Sequence, residues 1–286
     1  MQIGLRLHDS AALPFEERLK TVHEQGFSCV HIALSKISDL SSDIVSLTPG
    51  YGFALARRFN AADLDIAVLG CYLNLCNPDE AALSKILKKY EANIRLASYL
   101  PCSVVGTETG APNTSYDCSD REAVRSEEAY TFFRDNLKKV TGYAEKYGVT
   151  MAIEPVYKHI IYDAKRARRL LDEIESPNLR IIFDPVNLLD PKESDERHKE
   201  VISEAMDLLE EEISIIHLKD FIRKDDDFKA VGCGKGEMEY EDIIRFAVKK
   251  KPFIQATLEN TTPDDAVSCR EYIEQIERKI ITEEMK

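Results

Sequence analysis

The chain has 286 residues, 44% of them hydrophobic, with 51 acidic against 38 basic side chains and a net charge of −13. That length and apolar share suffice for one large α/β domain or two small ones. The acidic balance argues against a nucleic-acid surface, which needs Lys and Arg in excess. No apolar run approaches the roughly 20 residues of a membrane helix.

Short apolar runs alternate with longer amphipathic ones along the whole sequence. Strand 2–7 and helix 14–25 are followed by strand–helix pairs at 27–34 and 50–63, 65–71 and 79–98, and 103–106 and 121–147. Further pairs fall at 149–154 and 164–174, 179–184 and 195–211, 213–218 and 240–250, and 252–258 and 264–280. Strict alternation implies parallel pairing with right-handed crossovers. Eight such units predict a single-domain α/β fold, the (β/α)8 TIM barrel. An open doubly wound sheet is the structural alternative. It is weakened by the lack of a Gly-x-Gly-x-x-Gly after the first strand.

Local signals mark several boundaries. Asp79 opens the third helix, Ser119 or Asp120 the fourth, and Ser194 or Asp195 the sixth. Gly148 ends the fourth helix. Lys249, Lys250 and Lys251 close the seventh, where positive charge suits the helix dipole. The segments 107–120 and 221–239 are the least regular and are expected over the strand ends. The charged last seven residues are expected to fray. Seven cysteines, an odd number without a Cys-x-x-Cys pair, predict reduced thiols and a cytoplasmic setting. The first strand begins at residue 2 or 3, which leaves no room for a signal peptide.

Four polar residues stand just after apolar runs: Glu154, Asp184, His217 and Glu259, spaced by 30, 33 and 42 residues. In a parallel sheet they emerge at one end. Carboxylates with one imidazole suit a divalent cation. Helix caps and loop ion pairs would use the same residue types, so spacing alone leaves both readings open.

The surrounding motifs are Ile153-Glu154-Pro155, Phe183-Asp184-Pro185-Val186-Asn187, Ile216-His217-Leu218-Lys219-Asp220 and Leu258-Glu259-Asn260. They resemble the xylose isomerase-like TIM-barrel superfamily. More closely, they are similar to its sugar-phosphate isomerase/epimerase branch, which includes ketose 3-epimerases, inosose isomerases and hydroxypyruvate isomerases. Gly232-Cys233-Gly234-Lys235-Gly236-Glu237-Met238 matches the Gly-rich loop that this branch carries after the His strand. The resemblance runs over nearly the whole chain.

It implies one divalent metal, Mn²⁺ or Mg²⁺, on Glu154, Asp184, His217 and Glu259. It also implies that Glu154 and Glu259 form the acid–base pair of an isomerase or epimerase acting on a small carbohydrate. No nucleic-acid or membrane partner is expected, and the resemblance allows a homo-oligomer.

There are departures. Many relatives carry a His where Asn187 stands. Asn187 can still bind a sugar hydroxyl but cannot shuttle a proton. Ketose epimerases carry a Glu where Ile160 stands, whereas Arg223 is retained. The apurinic-site endonucleases on this barrel need further His ligands, and neither Gly70-Cys71-Tyr72 nor Gly106-Thr107-Glu108 supplies one.

Further substrate contacts are expected from His8, Glu108, Lys158, His159 and Lys219. Lys219 shares a strand face with His217. Arg223 and Lys235 are expected to hold an anionic group. His23 and His198 read as surface or packing residues, and His31, inside the second strand, is unassigned. Two rivals use the same scaffold. One is a lyase that expels a β-hydroxyl or cleaves a C–C or C-glycosidic bond. The other is a non-catalytic metal- or sugar-binding protein.

Overall fold

The computed structural model describes residues 1–41 and 43–285. In chain order the strands are β1 (Gln2–Arg6), β2 (Cys29–Ile32), β3 (Asp65–Gly70), β4 (Cys102–Glu108), β5 (Met151–Glu154), β6 (Leu179–Phe183), β7 (Ile213–Leu218), β8 (Asp220–Lys224), β9 (Asp227–Val231) and β10 (Gln255–Leu258). The helices are α1 (Phe15–Glu24), α2 (Pro49–Ala61), α3 (Glu80–Ala97), α4 (Arg121–Arg125), α5 (Glu127–Tyr147), α6 (Ala164–Ile174), α7 (Asp195–Leu209), α8 (Glu241–Lys250) and α9 (Ala266–Glu284). Eight strands close a parallel barrel in the order β1-β10-β7-β6-β5-β4-β3-β2, and β8 and β9 pair separately. This is the TIM barrel that the alternation predicts.

Two apolar layers hold it together. Cys29, Val68, Val104, Ala152, Ile182 and Ile215 fill the barrel interior. A larger layer, including Leu5, Ile32, Phe133, Leu170 and Ile243, seals the helices onto the sheet. Small residues let the strands close. A Cβ at Gly4 would sit 2.2 Å from the Cys29 carbonyl oxygen, so only glycine fits there.

Caps form where short polar side chains precede helices. Asp79, Asp120 and Ser194 accept from the backbone N–H groups of Ala82, Ala123 and Arg197. Gly148 ends α5 in the left-handed region, at φ 66°.

Three expectations need correction. The helix expected over 121–147 is two helices. Ser126 adopts an extended backbone and caps α5 with its hydroxyl. The segment 221–239, expected to be irregular, carries the β8–β9 hairpin, turned at Asp225 with φ 54°. Phe221 and Phe228 stack across it at 4.0 Å. Of the last seven residues, expected to fray, those up to Glu284 continue α9, where Arg245 reaches Glu283 and Glu284 and Lys249 reaches Glu284; Lys286 lies outside the described residues.

No helix among the described residues is long and apolar enough to cross a membrane. All seven cysteines are free thiols.

Candidate active site

Parallel strands bring their C-terminal ends to one rim. Glu154 closes β5, Asp184 follows β6, His217 is next to last in β7, and Glu259 follows β10. All four side chains are buried. Thr257 pairs with His217 across β10 and β7. Side chains alternate along a strand, so Lys219 and Glu259, each two residues on, continue along the same face.

The His217 Nδ1 atom lies 3.3 Å from Glu154 Oε2 and 3.4 Å from Glu259 Oε1. Neither oxygen is aligned for a hydrogen bond, and both ring nitrogens are buried without a partner among the described residues. Lys219 Nζ lies 2.6 Å from Asp184 Oδ2 and 3.6 Å from Glu259 Oε2. It also donates to Asn187 Oδ1 at 2.7 Å. The Asn187 side-chain amide in turn donates to Glu154 Oε1. Both ends of that amide are thus engaged by protein, and Asn187 fixes one oxygen of Glu154. Asp184 Oδ1 accepts from the Asn187 backbone N–H at 3.0 Å.

The electrostatics favour a cation here. Burial alone would raise Glu259, but His217, Lys219 and Arg6 hold it well below the usual carboxylate range. Burial pushes Asp184 up to about 6 against the pull of Lys219. Burial disfavours a charged His217, yet Glu259 and Glu154 raise it to about 9. Three buried carboxylates thus face two fixed cations, Lys219 and Arg6. The surplus negative charge draws a proton onto the imidazole.

A divalent metal fits the same donors. Glu154, Asp184 and His217 offer one ligand atom each within 4.8 Å of one another, and so do His31, His217 and Glu259. The four residues expected from the sequence, joined by His31, therefore fall into two triads that share His217, with Lys219 between Asp184 and Glu259.

The first half of the barrel supplies residues that strand-end reasoning missed. His31, on β2, stacks on His217 at 5.2 Å and lies 3.8 Å from Glu259 Oε1. Tyr72, just beyond β3, hydrogen-bonds His31 Nε2 at 3.3 Å. Arg6, the last residue of β1, lies 3.6 Å from Glu259 and pairs with Asp9 at 2.9 Å. A polar residue inside or ending an otherwise apolar strand was the available signal.

These side chains surround a cavity of about 390 Å³, whose wall includes His8, Lys36, Glu108, Glu154, Lys219 and Glu259. Glu108 ends β4 beside Glu154 and accepts from the Tyr116 hydroxyl at 3.2 Å. His159 Nδ1 lies 3.9 Å from it. Burial, then the neighbouring Glu154 charge, pushes Glu108 up to about 7. Burial holds His159 down at about 4.

Four expected contacts do not line this cavity: His159, which stops against Glu108, and three cations that are held by acids. Lys158 pairs with Asp227 at 3.0 Å, Arg223 with Asp195 at 2.6 Å, and Lys235 with Asp265 at 2.7 Å. Arg223 also lies against His198, which is buried under the hairpin rather than on the surface. A separate groove of about 430 Å³, lined by Ile202, Met206, Met238 and Ile243, contains none of the four strand-end residues.

The Gly-rich loop has a structural cause in Asp220. Its buried carboxylate accepts four backbone N–H bonds, from Phe221, Gly234, Gly236 and Met238, at 2.8–3.0 Å. A Cβ at Gly236 would lie 2.1 Å from the Phe221 carbonyl oxygen. The Tyr240 hydroxyl donates to the Lys219 carbonyl at 2.7 Å. The loop thus anchors the strand end that presents His217 and Lys219.

A parallel barrel with acidic and imidazole side chains at its strand ends defines the class of protein. The chain belongs to the xylose isomerase-like TIM barrel family, whose profile matches residues 19–278. No curated protein matches the sequence. Among solved structures, a D-tagatose 3-epimerase-like protein is similar over 100% of both chains, at 18% identity and a TM-score of 0.76. The probable 3-DHS dehydratase AsbF of Bacillus anthracis, involved in petrobactin synthesis, is similar over 99% of both chains, at 14% identity and a TM-score of 0.72. The IOLI protein, which holds a zinc atom, is similar over 99% of this chain and 97% of its own, at 16% identity and a TM-score of 0.68. At these identities the likeness is one of fold.

Proposed function

We propose that the chain is a divalent-metal-dependent isomerase or epimerase of a sugar, sugar phosphate or cyclitol ketone. The observation that carries this is the pair Glu154 and Glu259. They reach one buried imidazole from strands on different sides of the barrel, β5 and β10. A metal-binding protein could use both as ligands, but it would not require an acid–base pair.

Glu154, Asp184, His217 and Glu259 would hold the metal, with His31 beside Glu259. When bound, it supplies a Lewis acid that polarises the substrate carbonyl. The remaining work falls to the chain. One Glu takes the proton from the carbon next to the carbonyl. Lys219, donating into the same wall, stabilises negative charge that develops on the substrate oxygens. Asn187 and Lys219 hold Glu154 in one orientation. Delivery of a different proton, carried by the second Glu, to the opposite face gives an epimer, and leaves the first Glu protonated. Return of the first proton by the same carboxylate to the neighbouring carbon gives an isomer.

The AsbF likeness keeps a dehydratase as the second reading. The test is a panel of ketoses, phosphorylated ketoses and inososes incubated with the Mn²⁺-loaded protein in D₂O. Deuterium uptake with an otherwise unchanged product mass is expected. A product lighter by one water would make it a lyase. No uptake and no product from any ketone would leave a binding protein.

A further inference from the structure

We propose that the cavity carries an anion subsite, formed by Lys36 with His8 and Asn260, for a carboxylate or phosphate on the substrate. The inference rests on the reading of this cavity as the place of proton transfer.

The three residues follow three adjacent strands. His8 lies in the 3-10 turn after β1, Lys36 ends the 3-10 turn after β2, and Asn260 follows Glu259 beyond β10. In the closed barrel β1 neighbours both β2 and β10, so the three side chains form one arc of the cavity wall. The facing arc, from β4 and β5, is acidic and holds Glu108 and Glu154.

Among the Lys and Arg side chains that line this cavity, Lys36 alone has no acid partner among the described residues. Five other cations around the strand ends are tied to carboxylates: Arg6 to Asp9, Lys158 to Asp227, Lys219 to Asp184, Arg223 to Asp195 and Lys235 to Asp265. In a chain with 51 acidic residues, Lys36 lines the cavity, and no ion pair or side-chain hydrogen bond engages it among the described residues. His8 Nδ1 is buried without a partner. The Asn260 side-chain amide is also uncommitted. Its backbone N–H, by contrast, donates to Asp9 and fixes the residue in place. An ammonium, an imidazole and an amide on one arc of the cavity wall can together receive an anionic oxygen. The metal side of the cavity already has its cations engaged and is surplus in negative charge. An anionic group is therefore turned toward Lys36, leaving the neutral hydroxyls for Glu108.

The test uses three hydroxyketones that differ at one position: dihydroxyacetone, dihydroxyacetone phosphate and hydroxypyruvate. Their dissociation constants are measured by calorimetry on the Mn²⁺-loaded wild type and on Lys36→Met and Lys36→Arg. At least one charged probe should bind more tightly than dihydroxyacetone. Lys36→Met should weaken that probe about 10- to 100-fold, as loss of a charged hydrogen bond does. Lys36→Arg should restore most of the loss, and dihydroxyacetone should be unmoved. Preference for the phosphate would assign a sugar phosphate, and preference for the carboxylate a keto acid. Equal binding of charged and uncharged probes, or charged-probe binding unchanged in Lys36→Met, would overturn the subsite. Deuterium uptake from uncharged ketones in that case would leave the isomerase reading standing. Intact anion binding with no uptake from any ketone would overturn the isomerase reading alone.

Discussion

The two halves of the barrel build the same cavity in different ways. From β5 onward, the chain places an acid or His at each strand end, and these side chains converge on His217. From β1 to β4 it supplies Arg6, His31, Tyr72 and Glu108, which touch that centre from the side or face the open cavity. On the proposed function the second half carries the chemistry, joined by His31 beside the metal donors, and the rest of the first half shapes and recognises the substrate. Substitutions on the two sides should separate accordingly, in metal content and turnover on one side and in substrate affinity on the other.

The largest effect is expected at Asp184. Asp184→Ala removes a proposed ligand and leaves Lys219 without its 2.6 Å partner. Metal content, measured by elemental analysis, should fall to a small fraction of one per chain, with activity lost alongside. Full occupancy in that variant would take Asp184 out of the centre and blur the division between the halves.

Next comes Asp220. Asp220→Ala leaves four backbone N–H groups without an acceptor. Stability should drop by about 2–4 kcal/mol in urea unfolding, with Asp220→Asn losing less. A change below about 0.5 kcal/mol would mean the Gly-rich loop holds its shape unaided.

Changes in the first half should be gentler and of another kind. Glu108→Gln should raise KM several-fold while metal content stays at the wild-type level. A loss of metal there would break the comparison. The same variant gives a pH signature in the metal-stripped protein. The folded-state pKa of Glu108 is raised to about 7 by burial and then by Glu154, above the ordinary value near 4.3. Between these values the folded chain binds more protons than the unfolded one, so wild-type stability falls as pH rises. Glu108→Gln removes that slope. Thermal melts should coincide below about pH 4 and separate in favour of the variant up to about pH 7.

The same contrast governs what the sequence revealed. The closed barrel followed from alternation, and Glu154, Asp184, His217 and Glu259 were legible because each follows an apolar run. His31 was not, because it lies within β2 and its role depends on a ring placed on β7, far along the chain. Lys158, Arg223 and Lys235 were expected in the cavity because they follow strands. Each instead meets an acid on another element: Asp227 at the start of β9, Asp195 at the start of α7, or Asp265 just before α9. Local pattern shows which strand end a residue follows but not which acid lies nearest in space. The hairpin was readable in hindsight, as two short runs, Asp220–Lys224 and Asp227–Val231, around Asp225 and Asp226.

The most direct test of the central claim is deuterium uptake from D₂O into a responsive ketone, compared between wild type, Glu154→Gln and Glu259→Gln at matched metal content. Gln keeps the shape and one ligand oxygen but cannot accept the proton. Turnover should fall by a factor on the order of 10² or more in each variant. An epimerase should retain exchange from the face served by the surviving Glu, and a one-base isomerase should lose exchange in only one of the two. Near-normal turnover in both variants would contradict the assignment and move the proton transfer elsewhere in the cavity.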